Sequence, residues 1–257
     1  MLSGKVAIVT GASGGIGSVT ALALAREGVR VVLAAPQSEV GALQALAARM
    51  EGTAFVVPTD VTVRSDVDRL VQATIERFGR IDVLANVAGI GSSPSLCDDS
   101  DEKIASVLAV NLLGTARMIH AVLPAMKAQR SGSIVNIGSV AGEVGIIGIY
   151  SASKFGVRGL SDSVRREVRS LGIGVTLIEP GFVRTSMNAA MGDGLPPPEI
   201  VADAIVRAAK HPRRRVIVPF WYHVPVFFAT YAPWLLDLVF GDARIQDRLN
   251  RDSRAGS

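Results

Sequence analysis

The stretch KVAIVTGASGGIG (5–17), followed at once by SVTALALAREG (18–28), decides the fold. KVAIVT is short and continuously apolar, the pattern of a strand covered on both faces. It stops at a cluster of glycines, and an Ala/Leu segment then runs to Gly28 with the composition of a helix. Strand, glycine turn and helix in direct succession place the first N–H groups and the positive dipole end of the helix at the turn. Gly11 permits a tight bend there, Gly15 lets phosphate oxygens approach the backbone, and Gly17 lets helix and strand pack closely. With Ser13 and Ile16, these residues form a candidate pyrophosphate cradle.

The alternation continues outward from this unit. VRVVLA (29–34) precedes VGALQALAARMEG (40–52), and TAFVVPTD (53–60) precedes RSDVDRLVQATIERFG (64–79). IDVLANVAG (81–89) leads to a long helical region over about 100–129, and SGSIVNIGS (131–139) to a helix containing SASKFGVRGLSDSVRREVRS (151–170). GVTLIEPG (174–181), a Pro/Gly-rich loop, a helix over 199–210 and RVIVP (215–219) complete the series. Apolar strands alternating with helices predict an α/β, Rossmann-type doubly wound parallel sheet of about seven strands with helices on both faces. Ligands of such folds sit outside the carboxyl ends of the strands. No repeat or linker divides the chain, so residues 1–219 are expected to form one dinucleotide-binding catalytic domain carrying a substrate flap at 182–198. Residues 220–257 form a C-terminal extension, apolar and then basic.

Dinucleotide sites usually place an acid about 20 residues beyond the glycines, where it bonds the ribose 2′-OH. Here the second strand ends LAAPQSE, with Ala35 and Pro36 at the deciding positions. No aspartate repels a 2′-phosphate there, and no arginine binds one. Gln37 and Ser38 suit either ribose. The balance favours NADP(H), with NAD(H) as the alternative.

GIYSASKFG (148–156) sets Tyr150 and Lys154 four residues apart, on one face of a helix. Several motifs then stand in one order: TGASGGIG (10–17), Asp60 in DVT, NVAG (86–89), Asn111, Ser139, YSASK (150–154) and PGFVRT (180–185). Over about 1–219 the chain thereby resembles the short-chain dehydrogenase/reductase family. The resemblance implies that Asp60 and Val61 flank an adenine, and that Asn86, Ala88 and Gly89 line the central cleft. It further implies that Pro180, Gly181, Val183 and Thr185 hold a nicotinamide. Two departures stand out: NVAG has valine where a second asparagine is common, and Ser139 lies eleven residues before Tyr150, closer than is usual. EVGIIGI (143–149) reads as a shortened loop over the substrate pocket.

The chemistry expected is hydride transfer between a nicotinamide and a carbonyl or secondary alcohol. Tyr150 is the general acid/base. Bringing a phenol from its ordinary pKa of about 10 to neutrality requires ~4 kcal/mol, which an adjacent Lys154 ammonium is expected to supply while also holding the ribose hydroxyls. Ser139 holds the substrate oxygen where negative charge develops. Asn111 supports a proton relay through Lys154, as the resemblance implies. Ser151 and Ser153 read as small residues allowing close packing, and Asp98, Asp99, Asp101 and Glu102 as a solvated helix start.

Cys97 is the sole cysteine and the three histidines lack ligand spacing, so no disulfide and no metal site are expected. The net charge of +4 shows no interleaved aromatic–basic pattern, and nucleic acid is not an expected partner. Met187, Met191, Val144, Ile146, Ile147 and Ile149 suggest an apolar carbonyl or alcohol substrate. FWYHVPVFFATYAPWLLDLVF (220–240) approaches the ~20 residues of a bilayer span, but holds Pro225, Pro233, His223 and Asp237. Three readings stand for it: a span, a peripheral membrane contact aided by Arg213–Arg215 and by Arg244, Arg248, Arg251 and Arg254, or packing over the cleft or a subunit interface. The opening MLSGKVAIVT has no signal-peptide layout, so the expected location is cytoplasmic or membrane-associated. Family habit suggests a homodimer or homotetramer. The rival functional reading is a catalytically silent, dinucleotide-sensing or membrane-associated interaction protein.

Overall fold

The computed structural model describes residues 1–191 and 194–241, with side chains except those of 189–191. Its strands are β1 (Val6–Thr10), β2 (Arg30–Ala34), β3 (Ala54–Val56), β4 (Val83–Asn86), β5 (Gly132–Ile137), β6 (Ile173–Pro180) and β7 (Arg215–Val218). All pair in parallel, in the order β3-β2-β1-β4-β5-β6-β7. The helices are α1 (Gly15–Arg26), α2 (Val40–Ala48), α3 (Arg64–Phe78), α4 (Asp101–Leu108), α5 (Thr115–Gln129), α6 (Ala141–Val144), α7 (Gly148–Val168), α8 (Glu199–Lys210), α9 (His223–Tyr231) and α10 (Pro233–Phe240). This is the doubly wound sheet that the alternation predicts.

The apolar strands separate two cores. On one face, Ala7, Val9, Val31 and Leu33 pack toward α1, α2 and α8, where Leu24, Leu43 and Ile205 are fully buried. The alternate positions Val6, Ile8, Val32 and Leu84 face α3, α5 and α7, against Leu70, Met118 and Val164. α3 shows how a local pattern becomes an element. Its apolar residues at helical spacing bury Val67 and Leu70, Asp66 and Arg77 complement the two dipole ends, and Gly79 closes it at φ +73°.

At the amino ends of the strands, buried Asp82 accepts from Val6 N (2.9 Å), Lys5 Nζ (3.0 Å) and Arg80 Nη2 (2.6 Å). Burial opposes ionisation, but these donors hold its carboxyl below the usual range. A depressed carboxylate stabilises the fold above its unfolded pKa, and that contribution is lost as pH falls through the folded value.

Two boundaries differ from the sequence reading. β3 is shorter than TAFVVPTD, covering only Ala54–Val56, although Val57 N still donates to Leu33 O (3.1 Å) and Thr59 N to Ala35 O (2.7 Å) beyond it. EVGIIGI is not a simple loop: the Ser139 Oγ accepts from Ala141 N (3.1 Å) and starts α6, Gly145 ends it at φ +75°, and α7 begins at Gly148.

After β7 the chain folds back over α6. Val226 packs with Val140 and Ile217, and the Phe182 N–H donates to Tyr222 Oη at 3.2 Å. α9 and α10 then bend by 108°. At 1.5 Å per residue neither stretch alone covers the ~30 Å of a bilayer core, so 220–240 is not one straight helix; Phe220–Tyr231 and Pro233–Phe240 together keep the length and composition of a broken span or re-entrant loop.

Candidate active site

Parallel register brings the carboxyl ends of the strands to one edge: Thr10 stands beside both Ala34 and Asn86, Asn86 beside Asn136, and Pro180 beside Val218. Strand order reverses between β1 and β4, opening a crevice there. The glycine loop forms its floor. Gly11 has φ +64°, and a Cβ on it would lie 2.8 Å from Ala88 Cα. A Cβ on Gly17 would lie 1.9 Å from the Gly11 carbonyl oxygen, so helix and strand touch as expected. No side chain caps α1, leaving its first-turn N–H groups suited to an anion. Thr185 reaches over from the far side, its Cγ2 3.2 Å from where a Gly15 Cβ would stand. Ile16 packs against the core behind the loop.

The Thr10 hydroxyl, not singled out by motif, accepts from Val87 N (3.1 Å) and Ala88 N (3.2 Å) and ties the 86–89 loop to the cradle. Asn86 differs from expectation. It is buried and donates through Nδ2 to Asn136 Oδ1 (2.9 Å), while Asn136 donates to Ser161 Oγ (2.9 Å). Its side chain therefore braces the sheet to α7 instead of lining the crevice. Asp60 accepts from Thr62 N and Oγ1 (2.8 and 2.7 Å), and Val61 is buried against Gly114. Glu39 also escaped the motif reading. From the turn after β2 it accepts a hydrogen bond from Ser13 in the glycine loop, placing a carboxylate where the sequence showed no acid at 35–38.

α7 presents Tyr150 and Lys154 on one face. Lys154 is buried; its Nζ donates to Ile137 O (3.0 Å) and stands 5.5 Å from the Tyr150 ring centroid. A Cβ on Gly89 would lie 3.2 Å from Asn111 Oδ1 and 3.4 Å from Lys154 Nζ, so these residues crowd one point. Asn111 sits in a π-helical turn, Ala109–Gly114, between α4 and α5. It accepts from Ile90 N (2.8 Å), donates to Ile90 O (3.0 Å) and donates to Ser153 Oγ (3.0 Å). Ser153 donates in turn to Tyr150 O (2.7 Å), and Ser151 accepts from Ile147 N (2.9 Å). Both serines thus bond through their hydroxyls, beyond the close packing expected of them.

The electrostatics correct one expectation. Burial raises the Tyr150 pKa, and a hydrogen bond with Ser139 only partly offsets it. Lys154 is itself drawn down to about 8 from 10.5 by burial. Lys154 stands over the Tyr150 ring and donates to Ile137 O, yet desolvation and Ser139 are what move the phenol, and desolvation is the larger of the two. In linkage terms, the unfolded chain binds more protons between about 8 and 10.5. The burial of Lys154 therefore costs stability below pH 8, and the cost is relieved as pH rises.

Beneath the Ser139 turn, buried Glu143 and Glu179 are bridged by arginines. Arg158 donates to Glu143 (2.6 Å), Arg215 Nη2 stands 2.9 Å from Glu143, and Arg215 Nε donates to Glu179. Burial and the neighbouring Glu143 push Glu179 up to about 8 against the pull of Arg215. Val140 N donates to Pro180 O (2.9 Å) and Gly181 N to Val218 O (2.8 Å), so this cluster sits under both turns that frame the cleft. Val183 is buried, and its carbonyl accepts from Asn188 Nδ2 (2.9 Å). The Met187 Cγ stands 3.4 Å from where a Cβ on Gly91 would lie, so the flap meets the 90–99 loop. The side chain of Met191 and residues 192–193 lie outside the described residues.

Residues 5–195 match the family model described as short chain dehydrogenase. An uncharacterized oxidoreductase of Staphylococcus haemolyticus is 40% identical over 217 residues, 82% of this chain and 93% of its own. A short chain dehydrogenase/reductase from Burkholderia phymatum, solved in complex with NAD, is 28% identical with a TM-score of 0.81 over 88% of this chain and 93% of its own. The actinorhodin polyketide ketoreductase solved with NADPH is 30% identical with a TM-score of 0.76, over 85% and 97%.

Proposed function

The chain belongs to the short-chain dehydrogenase family of oxidoreductases, and from that premise we propose that it reduces an apolar ketone to a secondary alcohol with a nicotinamide dinucleotide. The observation that carries this reading is the meeting of Tyr150, Ser139, Lys154 and Asn111 at the edge of the glycine crevice. The residues present fit the dinucleotide: Gly11 and Gly17 let the loop close on Ala88 and on its own backbone, and Gly15 and Gly89 put no side chain between the uncapped helix start and Thr185, Asn111 and Lys154. Such a cofactor supplies the hydride when bound.

The chain's own groups divide the remaining work. The α1 N-terminus and Ser13 hold phosphate and ribose, and Lys154 holds the nicotinamide ribose. Pro180, Gly181, Val183 and Thr185 form the wall beside the ring. Ser139 donates to the substrate oxygen, and Tyr150 delivers the proton that the new alkoxide needs. A phenol kept neutral by burial is in the state for that delivery. Asn111, locked by Ile90 and Ser153, keeps the Lys154 end of the proton path in place. Val144, Ile146, Ile147 and Ile149 line the approach with apolar surface, and the working form is a homo-oligomer.

The Glu39 carboxylate beside Ser13 favours NADH over NADPH, against the preference drawn from sequence, because a 2′-phosphate meets negative charge there. The test is a fluorescence titration with both cofactors, followed by a ketone and secondary-alcohol screen. NADH is expected to bind about tenfold more tightly, a gap of ~1.4 kcal/mol that Glu39→Gln closes. Dinucleotide binding without turnover across the whole panel would favour the silent sensing protein instead.

The pH profile provides a second check. Lys154 must be an ammonium to hold its share of the site, so kcat/KM for reduction is expected to be level near pH 7 and to fall as pH rises through about 8. A plateau unbroken to about pH 10, the ordinary range of a lysine, would remove Lys154 from the mechanism.

A further inference from the structure

The corner made by α9 and α10 is the most apolar exposed surface among the described residues. Of the fifteen large hydrophobic side chains exposed among those residues, nine lie in 220–240, including Phe220 (79%), Tyr231 (74%), Leu238 (69%), Trp221 (60%) and Trp234 (60%). Patches of this kind mark contacts with other proteins or with membranes. Three features choose between them. First, Asp237 is the sole Asp, Glu, Lys or Arg in 220–240. The stretches Phe220–Tyr231 and Pro233–Phe240 together have the length and hydropathy of a broken or re-entrant membrane element, and lipid acyl chains ask for no polar partner. Second, both tryptophans of the chain fall here, with Tyr231, as amphipathic rings do at a bilayer's headgroup level. Third, charge follows the apolar stretch. The sequence beyond it is weakly basic, its four arginines (Arg244, Arg248, Arg251 and Arg254) exceeding its three aspartates (Asp242, Asp247 and Asp252) by one, and exposed Arg207 shares a groove with Trp221 and Asp203. The segment 242–257 lies outside the described residues, and its contribution is read from sequence alone.

We propose that the α9–α10 corner seats the protein on an anionic lipid surface, its aromatic and aliphatic side chains entering the acyl boundary without crossing it. The 108° bend gives the pair the form of a re-entrant element, and one side of it is already committed to the protein through Val226 of α9 and Tyr222 just before it. That commitment places the corner at the cleft. Val226 touches Val140 next to Ser139, and Tyr222 holds the Phe182 N–H in the wall of the site. A bilayer under the corner therefore lies beside the cleft mouth, and an apolar carbonyl compound dissolved in the membrane reaches Ser139 without crossing water. This last consequence rests on the reductase reading; the docking does not.

Because Trp221 and Trp234 are the only tryptophans, the unaltered full chain carries its own probe. Titration with phosphatidylcholine/phosphatidylglycerol vesicles is expected to shift tryptophan emission to the blue, and brominated lipid to quench it. The protein should sediment with these vesicles and less with phosphatidylcholine alone. Tyr231→Ser/Trp234→Ser/Leu238→Ser should lower partitioning on the order of a hundredfold while dinucleotide binding stays unchanged. Emission indifferent to both vesicles would overturn the proposal. So would a gel-filtration oligomer that this variant breaks down while neither protein sediments with lipid, since the corner then joins copies of the chain. Docking with no turnover of any ketone would retain the proposal and remove the reductase reading.

Discussion

Tyr150→Phe is expected to lower kcat for ketone reduction by about 10²–10⁴-fold, the range for losing a positioned proton donor. The substitution removes one oxygen and keeps the ring that stands 5.5 Å from Lys154 Nζ. The Ile137 and Ser153 bonds that hold α7 involve other atoms, so the cradle and its dinucleotide affinity should stay within a few-fold of the parent. Ser139 loses its phenol partner but keeps the Ala141 N–H. Steady-state oxidation of the reduced cofactor gives the rate, and quenching on titration gives the affinity. A variant within a few-fold of the parent rate would show that the proton reaches the alkoxide by another route.

The second large effect concerns packing. In Gly17→Ala the added methyl would stand 1.9 Å from Gly11 O, 2.7 Å from Gly11 C and 3.0 Å from Ala12 Cα. All three are backbone atoms of the turn itself, so relief requires moving α1 away from β1. Overpacking of this kind destabilises by about 1–3 kcal/mol. More tellingly, it displaces the N–H groups that meet the phosphates, and dinucleotide affinity is expected to fall on the order of a hundredfold, ~2.7 kcal/mol. Gly159→Ala is the companion measurement. Its Cβ meets nothing within 4 Å on α7, so that variant should gain up to ~1 kcal/mol of stability and bind normally. Equal affinities in the two variants would dismiss the glycine loop as the cradle.

The sheet, its helices and the cradle were legible because each is a local pattern: apolar runs, helical spacing, glycines at a strand end. Tyr150 and Lys154 were legible for the same reason, being one helical turn apart. What stayed hidden depends on contacts between distant segments. Asn86, Asn136 and Ser161 form one buried chain of amides and a hydroxyl across β4, β5 and α7, and no spacing rule links them. Glu39 reaches Ser13 across 26 residues. Glu143 and Glu179 acquire meaning only when Arg158 and Arg215 arrive from α7 and β7. The direction of the Tyr150 pKa was missed because sequence gives the neighbour but not the desolvation, and here desolvation is the larger influence.

The π-helical turn at Ala109–Gly114 carries a consequence for anyone altering this protein. It amounts to one surplus residue wound into the stretch 101–129, and such surpluses are tolerated mostly where a site needs them. Deleting a single residue from 109–114 would heal the winding and give a more regular rod. The two halves would keep their phase, but the wide turn that aims the Asn111 amide at Ile90 and Ser153 would be lost. The most direct way to stiffen that rod thus gives up the Asn111 contacts on which the proposed proton path depends, and thermostabilising changes belong elsewhere.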